Sequence, residues 1–228
     1  LAFHNNNWFA FQSVGVTKFV PTGNADVPFR RFVVATDVGA VNHKSIVKAV
    51  DEFGRAALYF LDPERGPYRI GADGVQYVGK DVRDIWDTVN LAATNVVAHG
   101  VYHKAKDRIE WFLATGSSND PDTVITFDCS EGQFIRDERG DIGVRYGWAK
   151  WTGDYAASRC STMMSSTLGA SMSRALKPYT GRATGTVILK GDTGTDDNTV
   201  AFQSYVTSGA FELEPLYHNK SVLRSYVL

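Results

Sequence analysis

Along residues 1–152 short runs of aromatic and aliphatic side chains alternate with clusters of glycine, proline and small polar residues, the pattern of strands joined by tight turns. Trp8-Phe9-Ala10-Phe11 leads through Gly15 into Val16-Thr17-Lys18-Phe19-Val20 and predicts one hairpin. Ala57-Leu58-Tyr59-Phe60-Leu61 runs into Asp62-Pro63-Glu64-Arg65-Gly66, where proline presets φ and glycine accepts a positive φ, and returns as Tyr68-Arg69-Ile70. Gly71-Ala72-Asp73-Gly74 turns again into Val75-Gln76-Tyr77-Val78, so three successive antiparallel strands are expected. Strands over 97–102 and 108–113 flank a polar tip at His103 to Asp107, and the loop 116–122 precedes Val124-Ile125-Thr126-Phe127-Asp128. Ser130-Glu131-Gly132 is expected to turn that strand back into Gln133-Phe134-Ile135, and Trp148-Ala149-Lys150-Trp151-Thr152 closes the set.

The runs opened by Trp8, Leu58 and Trp111 lie 50 and then 53 residues apart, the period of propeller blades rather than of a Greek-key sandwich. One segment departs from the strand pattern: Val82, Ile85, Trp86 and Val89 follow i, i+3, i+4, i+7 after Asp81, a candidate N-cap, and predict one short helix. Residues 46–53 fit either a helix or a strand. After Tyr155 the composition shifts to Ser, Thr, Met and Gly, with strands expected over 186–189 and 200–206. The fold class predicted is therefore all-β: antiparallel β-propeller-like repeats of about fifty residues over 1–160, then an irregular β-rich module or incomplete blade over 161–228.

Composition narrows the function classes. Hydrophobic residues make up 43% of the 228 positions and charged residues 21%, ordinary globular usage that argues against disorder. No stretch approaches the roughly 18 apolar residues of a membrane span, so a soluble protein is expected. Leu1 stands where a translated chain carries methionine, consistent with a processed product or a segment of something longer. With 24 basic and 25 acidic residues and no basic run, nothing attracts the chain strongly to nucleic acid. Cys129 and Cys160 lack metal-finger spacing and are read as buried thiols.

Several short motifs invite chemistry and fail on context. Gly74 to Lys80 has phosphate-loop spacing, but Asp81 replaces the magnesium-binding hydroxyl and the intervening residues read as a strand. Asp192-Thr193-Gly194 supplies one carboxylate where an aspartic protease needs two, and the preceding Lys190-Gly191 is not an apolar strand. Asp192, Asp196, Asp197 and Asn198 could gather around calcium but lack alternate-residue spacing. His99 and His103 share a face without a third ligand, and Ser45 to Lys48 and Gly169 to Ser173 lack the companions of serine enzymes. Arg139-Gly140-Asp141 reads as a solvated turn. Tyr146, Trp148, Trp151 and Tyr155 form the one candidate contact surface, a row of rings able to stack on a sugar or a partner. No catalytic residue, cofactor or metal is assigned.

Tyr59-Phe60-Leu61-Asp62-Pro63-Glu64-Arg65-Gly66-Pro67-Tyr68-Arg69-Ile70, followed by Gly74-Val75-Gln76-Tyr77-Val78-Gly79 and Ile85-Trp86, resembles a blade of the propeller-type virion proteins of tailed bacteriophages. The likeness continues through His99-Gly100-Val101-Tyr102-His103 and Glu110-Trp111-Phe112-Leu113, covering residues 30–160. The resemblance, to tail nozzle or other tail and neck components more than to any enzyme, implies a non-enzymatic virion protein. Such a protein would form a homo-oligomeric ring around the tail axis with other tail and neck proteins as partners, DNA at most passing through, and no membrane contact. The alternative is a glycan-binding or glycan-cleaving propeller that uses the four aromatic residues.

Overall fold

The computed structural model describes residues 1–136, 142–153, 155–165, 176–182, 188–190, 196–197 and 200–201. Twelve strands form three consecutive four-stranded antiparallel meanders in which every strand pairs with its neighbours in sequence. The first sheet holds β1 (Ala2–His4), β2 (Asn7–Gln12), β3 (Gly15–Pro21) and β4 (Phe29–Ala35). The second holds β5 (Val47–Val50), β6 (Ala56–Asp62), β7 (Gly66–Gly71) and β8 (Gly74–Tyr77). The third holds β9 (His99–His103), β10 (Arg108–Leu113), β11 (Thr123–Arg136) and β12 (Ile142–Thr152). A fourth sheet contains β13 (Ser158–Ser165), β14 (Leu176–Arg182) and β15 (Ile188–Lys190), and β16 (Asp196–Asp197) pairs with β17 (Val200–Ala201). All pairings are antiparallel, so the all-β expectation holds among the described residues. None of these sheets closes on itself.

The sheets pack face to face in chain order. Phe9 and Val16 of the first sheet meet Leu58, Phe60, Tyr68 and Ile70 of the second in one core cluster. Ala57, Tyr59 and Leu61, on the other side of β6, meet Ile109, Trp111, Leu113, Ile125 and Phe127 of the third sheet in another. The strict two-residue alternation along β6 explains why this run is apolar throughout: both of its faces are covered, as in any strand buried between layers. Beyond the third sheet, Val101, Phe112 and Val124 pack with Ala156, which precedes β13.

The connections are tied to the sheets they join. Between the first and second sheets, Ala40 N–H donates to Gln12 O at 2.8 Å and Val41 N–H to Leu61 O at 2.8 Å, while Gly39 N–H donates to an Asp62 carboxylate oxygen at 3.0 Å. Gly39 is required there, because a β-carbon would stand 2.0 Å from the Gln12 carbonyl oxygen. Between the second and third sheets, a 3-10 turn over Lys80–Val82 runs into α1 (Arg83–Trp86), followed by α2 (Leu91–Val97). Trp86 lies under Gly66, whose φ of 90° and close approach to the indole both demand glycine.

Four expectations are corrected. The helix expected after Asp81 begins without a side-chain cap, and a second helix, α2, follows it. Asn90 starts α2 by accepting a hydrogen bond from Ala93 N–H at 3.3 Å. Ser130-Glu131-Gly132 is not a hairpin turn: β11 continues through it as a bulge, Phe127 opposing Trp148 and Gly132 opposing Tyr146. The bulge is accommodated by Gly147, whose β-carbon would stand 3.2 Å from that of Asp128. Cys160 is exposed rather than buried, whereas Cys129 is buried. Within the ambiguous segment 46–53, Val47–Val50 form strand β5 and residues 52–53 begin the turn that follows.

Candidate functional site

The four aromatic residues singled out from the sequence do not form a single row. Tyr146 and Trp148, two residues apart on β12, turn toward the second sheet: Tyr146 packs on Phe127 at 5.1 Å, and Trp148 packs on Phe127 at 4.7 Å and on Trp111 at 6.2 Å. Both are half-buried against the core. Trp151 has the opposite parity and is exposed, opposite Val124 in the register. Tyr155 follows β12, packs on Phe112 at 5.5 Å, and its hydroxyl donates to Glu110 Oε2 at 2.6 Å. The rings divide between two faces of the third sheet, and three of the four serve packing.

The charged groups near these rings are also tied into the fold. Arg69 on β7 donates from its Nη atoms to both carboxylate oxygens of Glu52 and from Nε to Gln76 Oε1 at 2.7 Å, with its guanidinium 5.7 Å from the ring centre of Tyr146. Burial disfavours the charged form of Arg69, but the Glu52 hydrogen bonds and charge more than offset it, and the guanidinium is held above its ordinary range. Burial likewise works against the Glu52 carboxylate, and Arg69 reverses the balance so that its pKa falls below the usual carboxylate value. Asp51 accepts from Phe53 N–H and Arg55 N–H at 3.0 and 2.8 Å and from Arg55 Nε at 2.7 Å, which closes the β5–β6 turn. Arg55 reaches on to Asp73 at 2.6 Å. These residues border an open groove of about 480 Å³ lined by Glu52, Phe53, Arg69, Gln76, Tyr77 and Tyr146.

A second open groove, of about 550 Å³, is bordered by residues 33–38 together with Arg65, Tyr68, Val75 and Tyr77 of the second sheet. Neither groove sets a nucleophile against a base. Glu110, the buried carboxylate of β10, is held by Arg108 Nη2 at 2.7 Å as well as by Tyr155.

His99 and His103 are both buried on β9. His99 stacks on Phe112 with ring centres 4.5 Å apart and planes 5° from parallel, and its Nδ1 lies 3.1 Å from Val97 O. Burial chiefly, with Lys44 nearby, lowers its pKa to about 4, so the ring is neutral near pH 7. Among the described residues no three His, Cys, Asp or Glu side chains stand together to hold a metal ion, and no helix is long and apolar enough to cross a membrane. The 74–80 segment is the β8 strand followed by a 3-10 turn, not a phosphate cradle. Arg139-Gly140-Asp141, Gly169 to Ser173, Asp192-Thr193-Gly194 and Asn198 lie outside the described residues.

The surface that sequence reasoning missed is the outer face of the first sheet. The register places Phe3, Trp8, Phe19 and Arg31 in one row across all four strands. Phe9, next to Trp8, points into the core shared with the second sheet, so this row faces away from it. Phe3 and Trp8 pack together at 5.0 Å yet are each 41% exposed, and Phe29 and Val33 on the same face of β4 are exposed as well. Finding this face required knowing that β1 and β4 exist. The Asn5-Asn6 pair, both residues at positive φ, was the available signal for the β1–β2 turn. No protein-family model matches the chain, and no curated protein matches it.

Proposed function

We propose that the chain is a structural assembly protein built from propeller-like blades, a ring-forming component of a bacteriophage tail or neck. The observation that carries this reading is the equivalence of Trp8, Leu58 and Trp111. Each sits on the second strand of its meander, with its side chain on the face directed away from the following sheet. Phe9, Tyr59 and Phe112, the next residue in each case, all face the following layer. A repeat that places equivalent residues at equivalent sheet-to-sheet junctions is the hallmark of a modular stack, in which every unit contacts its neighbours only.

The polar chemistry supports the same reading, because the buried charges described above are consumed in holding strands and turns together. The resemblance of residues 59–79 and 99–113 to tail nozzle blades supplies the biological setting. Purified particles from the source of this sequence test the proposal: mass spectrometry should find the chain as a stoichiometric component, and a reconstruction should place stacked four-stranded sheets in the tail or neck. Particles that lack the chain, or a location on the capsid surface with single copies bound to glycan, would overturn it.

A further inference from the structure

The repeat defines what should cover each sheet, and among the described residues the first sheet lacks its cover. Leu58 and Trp111 are both 0% exposed because the preceding sheet packs over them, whereas Trp8, at the equivalent position of the first sheet, is 41% exposed. The neighbours behave alike. Ile70 and Ile125, which oppose Leu58 and Trp111 in the register, are buried, while Phe19, which opposes Trp8, is only half-buried. No described residue lies over this face, and its contiguous aromatic character marks an interaction surface.

Among the described residues the fourth sheet also has an exposed side. Thr180 is buried, and the register sets Cys160, Gly181 and Ile188 in the adjacent row, which therefore has the opposite parity. Cys160 is exposed and Ile188 is 73% exposed, so the side of the fourth sheet away from the third is uncovered among the described residues.

We infer that the outer face of the first sheet seats the far face of the fourth sheet of a second copy of this chain, joining copies head to tail. The occupant follows from continuity with the junctions already present: the faces of Leu58 and Trp111 each receive the forward side of a preceding sheet, never a face of their own kind. Trp8 belongs to that receiving class, and the forward side exposed among the described residues near the other end of the chain is the one carrying Cys160 and Ile188. Such a contact is heterologous, and it closes into a ring if the rotation per copy divides a full turn. The inference rests on the assembly reading above and names its surface.

Sedimentation and thiol cross-linking together test it. Trp8→Glu should weaken self-association by about thirtyfold or more, the effect of losing an interface tryptophan, while Val96→Glu, at an exposed position on α2, should leave it unchanged. In the second arm, a chain carrying Thr17→Cys and Cys160→Ser is mixed with the unaltered chain and treated with a bismaleimide. Thr17 lies on the Trp8 face, opposite Ala10 in the register, so a covalent dimer should form in the mixture and not in the doubly substituted chain alone. Cross-linking of that chain with itself would replace the head-to-tail contact by a face-to-face one and overturn the inference. Association that ignores Trp8→Glu and yields no cross-link would overturn it while leaving the assembly reading in place. An unaltered chain that stays monomeric would overturn both.

Discussion

The bare α-carbon of Gly100 on β9 faces the indole of Trp111 on β10, and a β-carbon at position 100 would stand 2.6 Å from Trp111 Cδ1 and 2.5 Å from Val47 Cγ2. This close approach lets the indole Nε1 donate to Ser45 O at 2.9 Å, just ahead of β5, so one residue bonds the second and third sheets across their shared core. Gly100→Ala should therefore cost about 1–3 kcal/mol, the usual price of overpacking a filled core. The urea midpoint reads the loss, and an unchanged midpoint would show that the junction is looser than the geometry describes.

The Arg69–Glu52 pair offers a second test. Both side chains are almost fully buried, so removing one partner strands the other. Glu52→Ala should destabilise the chain by about 3–5 kcal/mol, and the joint replacement Arg69→Met with Glu52→Leu should recover most of that. Equal losses for the single and double variants would show that the pair does not act as a unit.

His99 predicts a pH dependence whose sign follows from its lowered pKa. The unfolded chain takes up the imidazole proton near 6.5 and the folded chain only near 4. The contribution is complete above pH 6.5 and is lost as pH falls through that window, amounting to about 2 kcal/mol by pH 5. His99→Phe, which keeps a ring against Phe112, should flatten the difference in urea midpoint between pH 7.5 and 5. A variant with the same pH slope as the unaltered chain would assign the effect to other groups.

Cys129 should be inert in the folded chain. It is buried, and burial together with Asp128 and Asp107 raises its thiol pKa well above the ordinary range. In a Cys160→Ser background, a thiol reagent should label no site until denaturant is added. Fast native labelling would contradict the packing of β11 against the second sheet.

Much of this fold was legible because burial on two faces writes a mostly apolar run, unbroken in Leu58 to Leu61 and interrupted only by Glu110 in Ile109 to Leu113, and the turn at Asp62 to Gly66 carries its own chemistry. The spacing of Trp8, Leu58 and Trp111 was legible because each stands on the second strand of its four-stranded sheet. β4 was not, because all of Phe29-Arg30-Arg31-Phe32-Val33 is exposed, on both faces of the strand, and the run shows no clean alternation. α2 escaped notice because Leu91 and Val96 are exposed and the helix carries no amphipathic stripe. The bulge in β11 was hidden because Ser-Glu-Gly serves a turn or a bulge equally well, and only the opposing Gly147 decides between them. The four aromatic residues do not share one face because of strand parity: Tyr146 and Trp148 lie on one face of β12 and Trp151 on the other.

The mass of the chain in solution, measured by light scattering across a wide concentration range, tests the central claim most directly. On the proposed assembly, a stack of sheets with two end faces exposed among the described residues predicts a defined oligomer several times the 25.1 kDa of one chain. A particle that remains at 25.1 kDa at every concentration would contradict the assembly account.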